Sequence, residues 1–373
     1  MMRFVKRAEI SKTKSTLIHI TSVILALLVA AVFIFISTHQ NPIKVYMAMI
    51  KGAFSSRYRI NEVIIAAVPL IITALGVSTA FKMKFWNIGG EGQVCMGAFA
   101  ASLVALKFPT GSRPVTLILM VIAGIIGGSI WALIPAFFKA KWKTNETIVT
   151  LMLNYVAIKF IQYLQYGPWK DPKAVGFPKI ANFPDEAVLP KVFGVHIGWI
   201  IAAILCVVMY IFMNHSKLGF EIAVIGESEN TAQYAGMNIK RTIITAMLIS
   251  GGLCGLTGMI QASAVSGTLS VDVSGGVGYT AIIIAWLSNL SAPIIALVSV
   301  LFAGLVQGAA YIQTAFSIPS SVAEMLQGTI LFFVLGSEFF IQYEAIRQSK
   351  LEKMIQKEIQ LECSATSHKE EVL

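Results

Sequence analysis

Apolar runs long enough to cross a membrane recur from one end of this chain to the other, and that repetition limits its fold more than any motif does. A helix needs about 20 largely apolar residues to cross a hydrocarbon core. Runs of that order lie near 17–37, 61–81, 88–107, 115–138, 146–166, 197–213, 241–265, 293–315 and 322–341, with a shorter one near 278–289. Water is a poor solvent for such a chain. Only 13% of its residues are charged and 56% are hydrophobic, whereas soluble domains carry about 25% charged residues. The mean hydropathy is +0.74. In lipid every backbone amide must find its partner inside the protein, which favours helices. The expected fold is therefore an all-α membrane protein, a polytopic bundle of about ten transmembrane helices. The 278–289 stretch is too short for a straight span and is expected to be a broken or re-entrant segment.

Charge sets the expected orientation. Arg3, Lys6, Arg7, Lys12 and Lys14 precede the first apolar run, which is longer than a signal-peptide core and lacks an A-x-A cleavage site. It reads as an uncleaved first helix with its basic end in the cytoplasm. With the N-terminus inside, the cytoplasmic pieces hold 18 Lys and Arg and the outer pieces ten. That bias favours both termini in the cytoplasm. The expected organisation is a basic N-terminus over 1–16, a transmembrane domain over 17–341 and a charged tail over 342–373, read as a helical or disordered extension. The net charge of +10 does not point to nucleic acid, because the basic residues lie between apolar runs without interleaved aromatics.

Two loops exceed simple connectors. The outer loop 167–196 contains Pro168, Pro172, Pro178, Pro184 and Pro190, which exclude a long helix and suggest an ordered, irregular segment. The inner loop 214–240 carries a short surface helix, with Ser228 suited to cap it, Glu229 in its first turn and Gly236 to end it. A solvated connector is the plainer reading of that loop. The glycine pairs Gly124/Gly128, Gly251/Gly255 and Gly304/Gly308 point to close helix packing. Asn154, Gln261 and Asn289 are single polar residues in apolar runs and read as interhelical glue.

The most informative local feature is Phe85-Trp-Asn-Ile-Gly-Gly-Glu-Gly-Gln93, where a membrane helix begins. An ionisable group in the hydrocarbon costs several kcal/mol unless it faces a cavity or a partner. Asn87 and Glu91 share a helix face. Asn87, Gly89, Gly90, Glu91 and Gln93 are thus candidates to line a translocation pathway; an interfacial helix start, with Lys82 or Lys84 beside Glu91, is the alternative. Catalytic signals are missing: the chain has no Gly-Lys dipeptide, hence no phosphate-binding loop, and no HExxH or GxSxG. The five histidines are scattered and the four cysteines lack metal or redox spacing, so no metal site is expected.

Asn87-Ile-Gly-Gly-Glu-Gly-Gln93 resembles the NIGxEGQ signature of permease subunits of bacterial ABC importers for simple sugars, branched-chain amino acids and nucleosides. Leu218-Gly-Phe-Glu-Ile, Gly226-Glu, Asn230, Ala232 and Tyr234-Ala-Gly236 resemble that family's ATPase-docking loop, and Ile249 to Gly258 and Gly278 to Ile282 resemble the segments that follow. Asn145-Glu-Thr-Ile-Val-Thr-Leu-Met-Leu-Asn-Tyr155, with the proline-rich outer loop, resembles the nucleoside branch. The likeness covers roughly 40–342. Trp286 to Pro293 departs from it, standing where the family often has a glycine-bearing stretch. The resemblance implies a permease for a small polar solute, nucleosides first and a sugar such as ribose or galactose as the alternative. It also implies a second permease subunit (a heterodimer), a cytoplasmic ATP-binding subunit that hydrolyses the ATP, an extracytoplasmic solute-binding lipoprotein, and no cofactor. Glu221, Gly226, Glu227, Ser228, Glu229, Asn230, Ala232, Tyr234, Ala235 and Gly236 become the coupling loop, with Ala232 expected on the docking face. An ion-coupled secondary transporter is the rival class, although no clear internal repeat is visible.

Overall fold

The computed structural model describes residues 2–6, 11–108, 111–174 and 176–347. In chain order these begin with β1 (Met2–Lys6), α1 (Lys12–Thr38), α2 (Pro42–Phe54), α3 (Arg57–Lys82) and α4 (Gly90–Lys107). Next come α5 (Arg113–Trp142), α6 (Glu146–Tyr166), β2 (Lys191–Val192), β3 (Val195–His196) and α7 (Gly198–His215). The short α8 (Lys217–Glu227) and α9 (Glu229–Tyr234) precede α10 (Ile239–Ile260), which continues as a π-helix over Gln261–Ser266. The chain closes with α11 (Val277–Leu287), α12 (Ala292–Ala315), α13 (Ser320–Gln342) and β4 (Tyr343–Arg347).

Every apolar run expected to form a helix does so. Among the described residues, seven helices are long and apolar enough to cross a membrane: α1, α3, α5, α6, α7, α10 with its π extension, and α12. The mainly helical membrane fold is thus borne out, with seven such helices where about ten were expected, and the 278–289 stretch forms one continuous short helix, α11. Two helices were not foreseen. α2 starts where Asn41 accepts from the Ile43 amide and Pro42 takes the first helical position, a start signal present in the sequence. α8 runs through the first half of the expected loop helix region.

The chain divides into two compact units. In the first, residues 1–46 with 317–373, α1 packs on α13. β1 and β4 pair antiparallel, with Met2 opposite Arg347 and Lys6 opposite Tyr343. The tail was expected to leave the last helix as a helical or disordered extension; residues 343–347 instead find a strand partner, and 348–373 lie outside the described residues.

In the second unit, residues 47–316, α3 and α10 form the centre. Their spanning windows are 78% and 72% buried, against 22% for α5 and 17% for α7. α10 packs against α5, α4 and α3; α12 packs against α3 and α7; α11 packs against α3, α4 and α12. The glycine pairs explain the closest crossing. A Cβ at Gly97 of α4 would run into the backbone of Gly255, and one at Gly128 of α5 would meet the Gly251 carbonyl. Three helices therefore meet backbone to backbone, where dispersion and packing supply what the hydrophobic effect cannot in lipid.

The proline-rich loop 167–196 is ordered, as its prolines suggested, by long-range hydrogen bonds. Arg113 donates to the Val188 carbonyl at 2.8 Å, Thr268 to Ile180 at 3.0 Å, and the Phe183 amide to Gly267 at 2.8 Å. The loop ends in the β2–β3 hairpin, where Lys191 pairs directly with His196. His196 is only 2% exposed, and its Nδ1 accepts from the Gly198 amide at 3.2 Å while its Nε2 is buried without a partner. Burial first, and the Lys191 charge second, push its pKa down from the usual 6.5 to about 4. Above pH 6.5 folded and unfolded chains both carry a neutral imidazole. Between about 6.5 and 4 only the unfolded chain takes up the proton. Stability should therefore fall across that window, by on the order of 3 kcal/mol in total. Melting of the purified protein from pH 7 to pH 4 should show this slope, and His196→Gln should flatten it. Equal acid slopes in both proteins would remove His196 as the cause.

Candidate functional site

Two places in the larger unit gather the residues singled out by the sequence. The first is the stretch between α7 and α10. Three side-chain caps divide it: Ser216 accepts from the Gly219 amide, Ser228 from Thr231 and Asn238 from Arg241, at 3.0, 3.2 and 3.1 Å. Each satisfies an amide that a helix start leaves free. Gly236, at φ +75°, reverses the chain after α9 in the conformation that glycine adopts without strain. The residues expected to form a coupling loop divide between two faces. Glu227, Glu229, Asn230, Tyr234, Ala235 and Gly236 are exposed, Tyr234 to 92%. Gly226 and Ala232 face inward, and Ser228 is half-buried.

Ala232 was expected on the docking face. Instead it is 0% exposed and packed in a cluster with Ala132, Ala136, Ile243 and Met247. In so short a helix one residue must fasten the turn to the bundle, and the small apolar one does so. Glu221, half-buried on α8, accepts from the Thr242 hydroxyl at 3.0 Å and ties α8 to α10. A cavity of about 550 Å³ lies between α8 and the start of α10, walled by Lys217, Glu221, Asn238 and Arg241. Another of about 650 Å³ is walled by Lys139, Lys143, Glu229 and Lys240.

The second place is the turn between α3 and α4. Asn87, Glu91 and Gln93 are 0%, 3% and 1% exposed. They are brought together, and their polar groups engage protein partners. Asn87 Nδ2 donates to Gln93 Oε1 at 3.2 Å and to the Ser250 hydroxyl at 3.1 Å. Its Oδ1 accepts from the Gly89 amide and from Gln93 Nε2, both at 3.1 Å. Asn154 of α6 accepts from the Gly92 amide at 2.8 Å and donates to the Ile88 carbonyl at 2.9 Å, so it does act as interhelical glue. Asn289, expected within an apolar span, sits instead on an exposed turn at φ 47°.

Glu91 has neither Lys82 nor Lys84 as its hydrogen-bond partner. Its Oε1 accepts from the Gly276 amide at 2.9 Å and its Oε2 from the Gly278 amide at 2.7 Å. These are free amides at the start of α11, where the helix dipole also favours a negative group. Nothing in the local sequence links residue 91 to residues 276 and 278; only the fold brings them together. Between the π-helix and α11 the chain runs without regular structure over 267–276, with Asp272 and Gly275 exposed.

The family described as "Branched-chain amino acid transport system / permease component" matches residues 59–335. A glucose ABC transporter permease protein of Haloferax volcanii is 33% identical, over 87% of this chain and 88% of its own length. A guanosine ABC transporter permease protein of Bacillus subtilis is 30% identical over 88% and 95% of the two chains. A nucleoside ABC transporter permease protein of Lactococcus lactis is 30% identical over 87% and 92%. With most of its length matched and its spanning helices in place, this chain belongs to the branched-chain amino acid transport system permease family and is a membrane permease of the ABC type.

Proposed function

We propose that this permease forms half of the translocation pathway of an ATP-driven importer for nucleosides. The observation that carries the coupling part is α9, a capped helix seated by Ala232 and presenting Tyr234 outward, with Glu229 and Asn230 on the wall of a partly basic cavity. A cytoplasmic ATP-binding subunit docks there and hydrolyses the ATP. A second permease subunit completes the pathway, and an extracytoplasmic lipoprotein delivers solute at the other face. Nucleoside transport is supported by the guanosine and nucleoside relatives together with the Asn145 to Tyr155 segment. Glucose is the second reading, because the relative at 33% identity is a glucose permease.

The pathway follows the irregular stretch 267–276. Non-helical backbone at membrane depth is tolerated only against protein or a wet cavity. Glu91 holds the end of that wall through the Gly276 and Gly278 amides, with Asn87, Gly89, Gly90 and Gln93 beside it. In vesicles containing the assembled complex, ATP inside the cell-equivalent compartment should drive uptake of labelled guanosine, unchanged by a protonophore. Excess unlabelled adenosine should suppress it and excess glucose should not. Suppression by glucose alone would transfer the assignment to sugar, and uptake driven by a proton gradient without ATP would make the protein a secondary transporter.

Both termini lie in the cytoplasm in this reading. In a background free of Cys95, Cys206, Cys254 and Cys363, Phe177→Cys and Tyr234→Cys place thiols at positions 91% and 92% exposed. A membrane-impermeant reagent applied from outside should label position 177 and spare position 234. The opposite pattern reverses the topology.

A further inference from the structure

Residues 81–91 touch both parts of the permease that an ATP-driven cycle must move together. At one end, Gly226 of α8 lies so close to the Lys82 carbonyl that no Cβ fits between them. Met83 and Phe85, 5% and 2% exposed, share a core with Ile222 and Ile225 of α8 and Ala232 of α9. Toward α11, Trp86 stacks on Trp286 at 5.4 Å, and Phe81 lies 5.6 Å from the same ring. Trp286 is in the last turn of α11. Glu91 then takes the first amides of α11 through both carboxylate oxygens. A Cβ at Gly278 would collide with the Glu91 backbone, so the two helix starts touch. One continuous stretch thus grips α11 at both ends and seats against α8 and α9.

The stretch is also stiff. The Met83 and Phe85 amides bond back to Ala80 at 3.1 Å, and the Asn87 amide bonds to Phe85 at 2.9 Å. The Asn87–Gln93–Ser250 cluster fixes its far half. A carboxylate suits the α11 end because it has two acceptor oxygens and no donor. A glutamine of the same shape offers one acceptor and turns an NH₂ group on the second amide.

We infer that residues 81–91 are the strut through which α8 and α9 displace α11, with Glu91 the positioning residue that joins the strut to the N-terminus of α11. This inference rests on the importer reading above. It assigns the 87–93 turn a mechanical role in coupling and gives α11, whose N-terminus closes the irregular stretch 267–276, the role of moving wall.

The test uses the assembled complex in vesicles, cysteine-free except for Tyr279→Cys, with a spin label on that position in the first turn of α11. In this parent complex the label should be immobile and should shift its environment between the nucleotide-free and ATP-trapped states. Glu91→Gln should make the label mobile in both states and lower uptake at least about tenfold, equivalent to about 1.4 kcal/mol. Gly226→Ala should leave the label as immobile as in the parent but abolish its response to nucleotide. Trp86→Ala, at a side chain 46% exposed, should do the same with less risk to folding. An immobile, nucleotide-responsive label in Glu91→Gln would overturn the positioning role. A full response in both Gly226→Ala and Trp86→Ala would overturn the strut. If the parent complex shows no ATP-driven uptake, the importer reading fails instead, while the mobility comparison at Glu91 needs no nucleotide and still decides the clamp.

Discussion

Ala232→Asp should abolish coupled transport by pulling α9 off the bundle, and Tyr234→Ala, two residues away, should weaken coupling without touching stability. The difference is one of direction. The Ala232 methyl is fully buried among Ala132, Ala136, Ile243 and Met247. A carboxylate there loses its water and finds no cation in the cluster, at a cost of about 3–5 kcal/mol. Such a cost exceeds what one short, capped turn can hold, so α9 should detach and the melting temperature should fall by several degrees. Tyr234 is 92% exposed, so its removal should leave stability within about 0.5 kcal/mol. Any loss there must come from a partner's contact. Thermal melting and co-purification with the ATP-binding subunit separate the two. Wild-type melting in Ala232→Asp would contradict the packing, and normal ATPase retention in Tyr234→Ala would make α9 a passive connector.

Gly255→Val should be more damaging still, leaving little folded protein. Gly255 faces Gly97 of α4 on one side and the Gly124 carbonyl and Gly128 of α5 on the other, with no room for a Cβ. A valine would have to push the α10 and α5 backbones apart, breaking the packing that holds helices together in lipid. A loss above about 4 kcal/mol is expected, the range in which single substitutions unfold a domain. Gly328→Val in α13 is the matching control, because nothing lies within 4 Å of a Cβ built there. Monodisperse elution in mild detergent should persist for Gly328→Val and be lost for Gly255→Val. A monodisperse Gly255→Val protein would refute the three-helix crossing.

Much of this fold is legible along the chain because the bilayer imposes a length. A run such as 115–138 has few alternatives to a helix, and α5 forms over Arg113–Trp142. Caps are equally local: Ser228 and Gly236 bound α9 as their chemistry suggests. α2 was the harder case, because a short amphipathic helix beginning at Asn41-Pro42 carries no span-length signal.

The candidate site divides along the same line. That Glu91 needs a partner follows from the sequence, since a carboxylate near hydrocarbon is costly alone. Its partners, the amides of Gly276 and Gly278, lie far along the chain and carry no side chain to betray them. Ala232 is similar: an alanine in a six-residue helix is compatible with either face, and the surrounding helices alone turn it inward. The sequence by itself determined helices, their approximate ends and the family, because backbone hydrogen bonding and solvent matching act over neighbouring residues. Only the tertiary structure decided which polar group meets which amide and which face of α9 is free, because those pairings depend on chain segments brought together across the bundle.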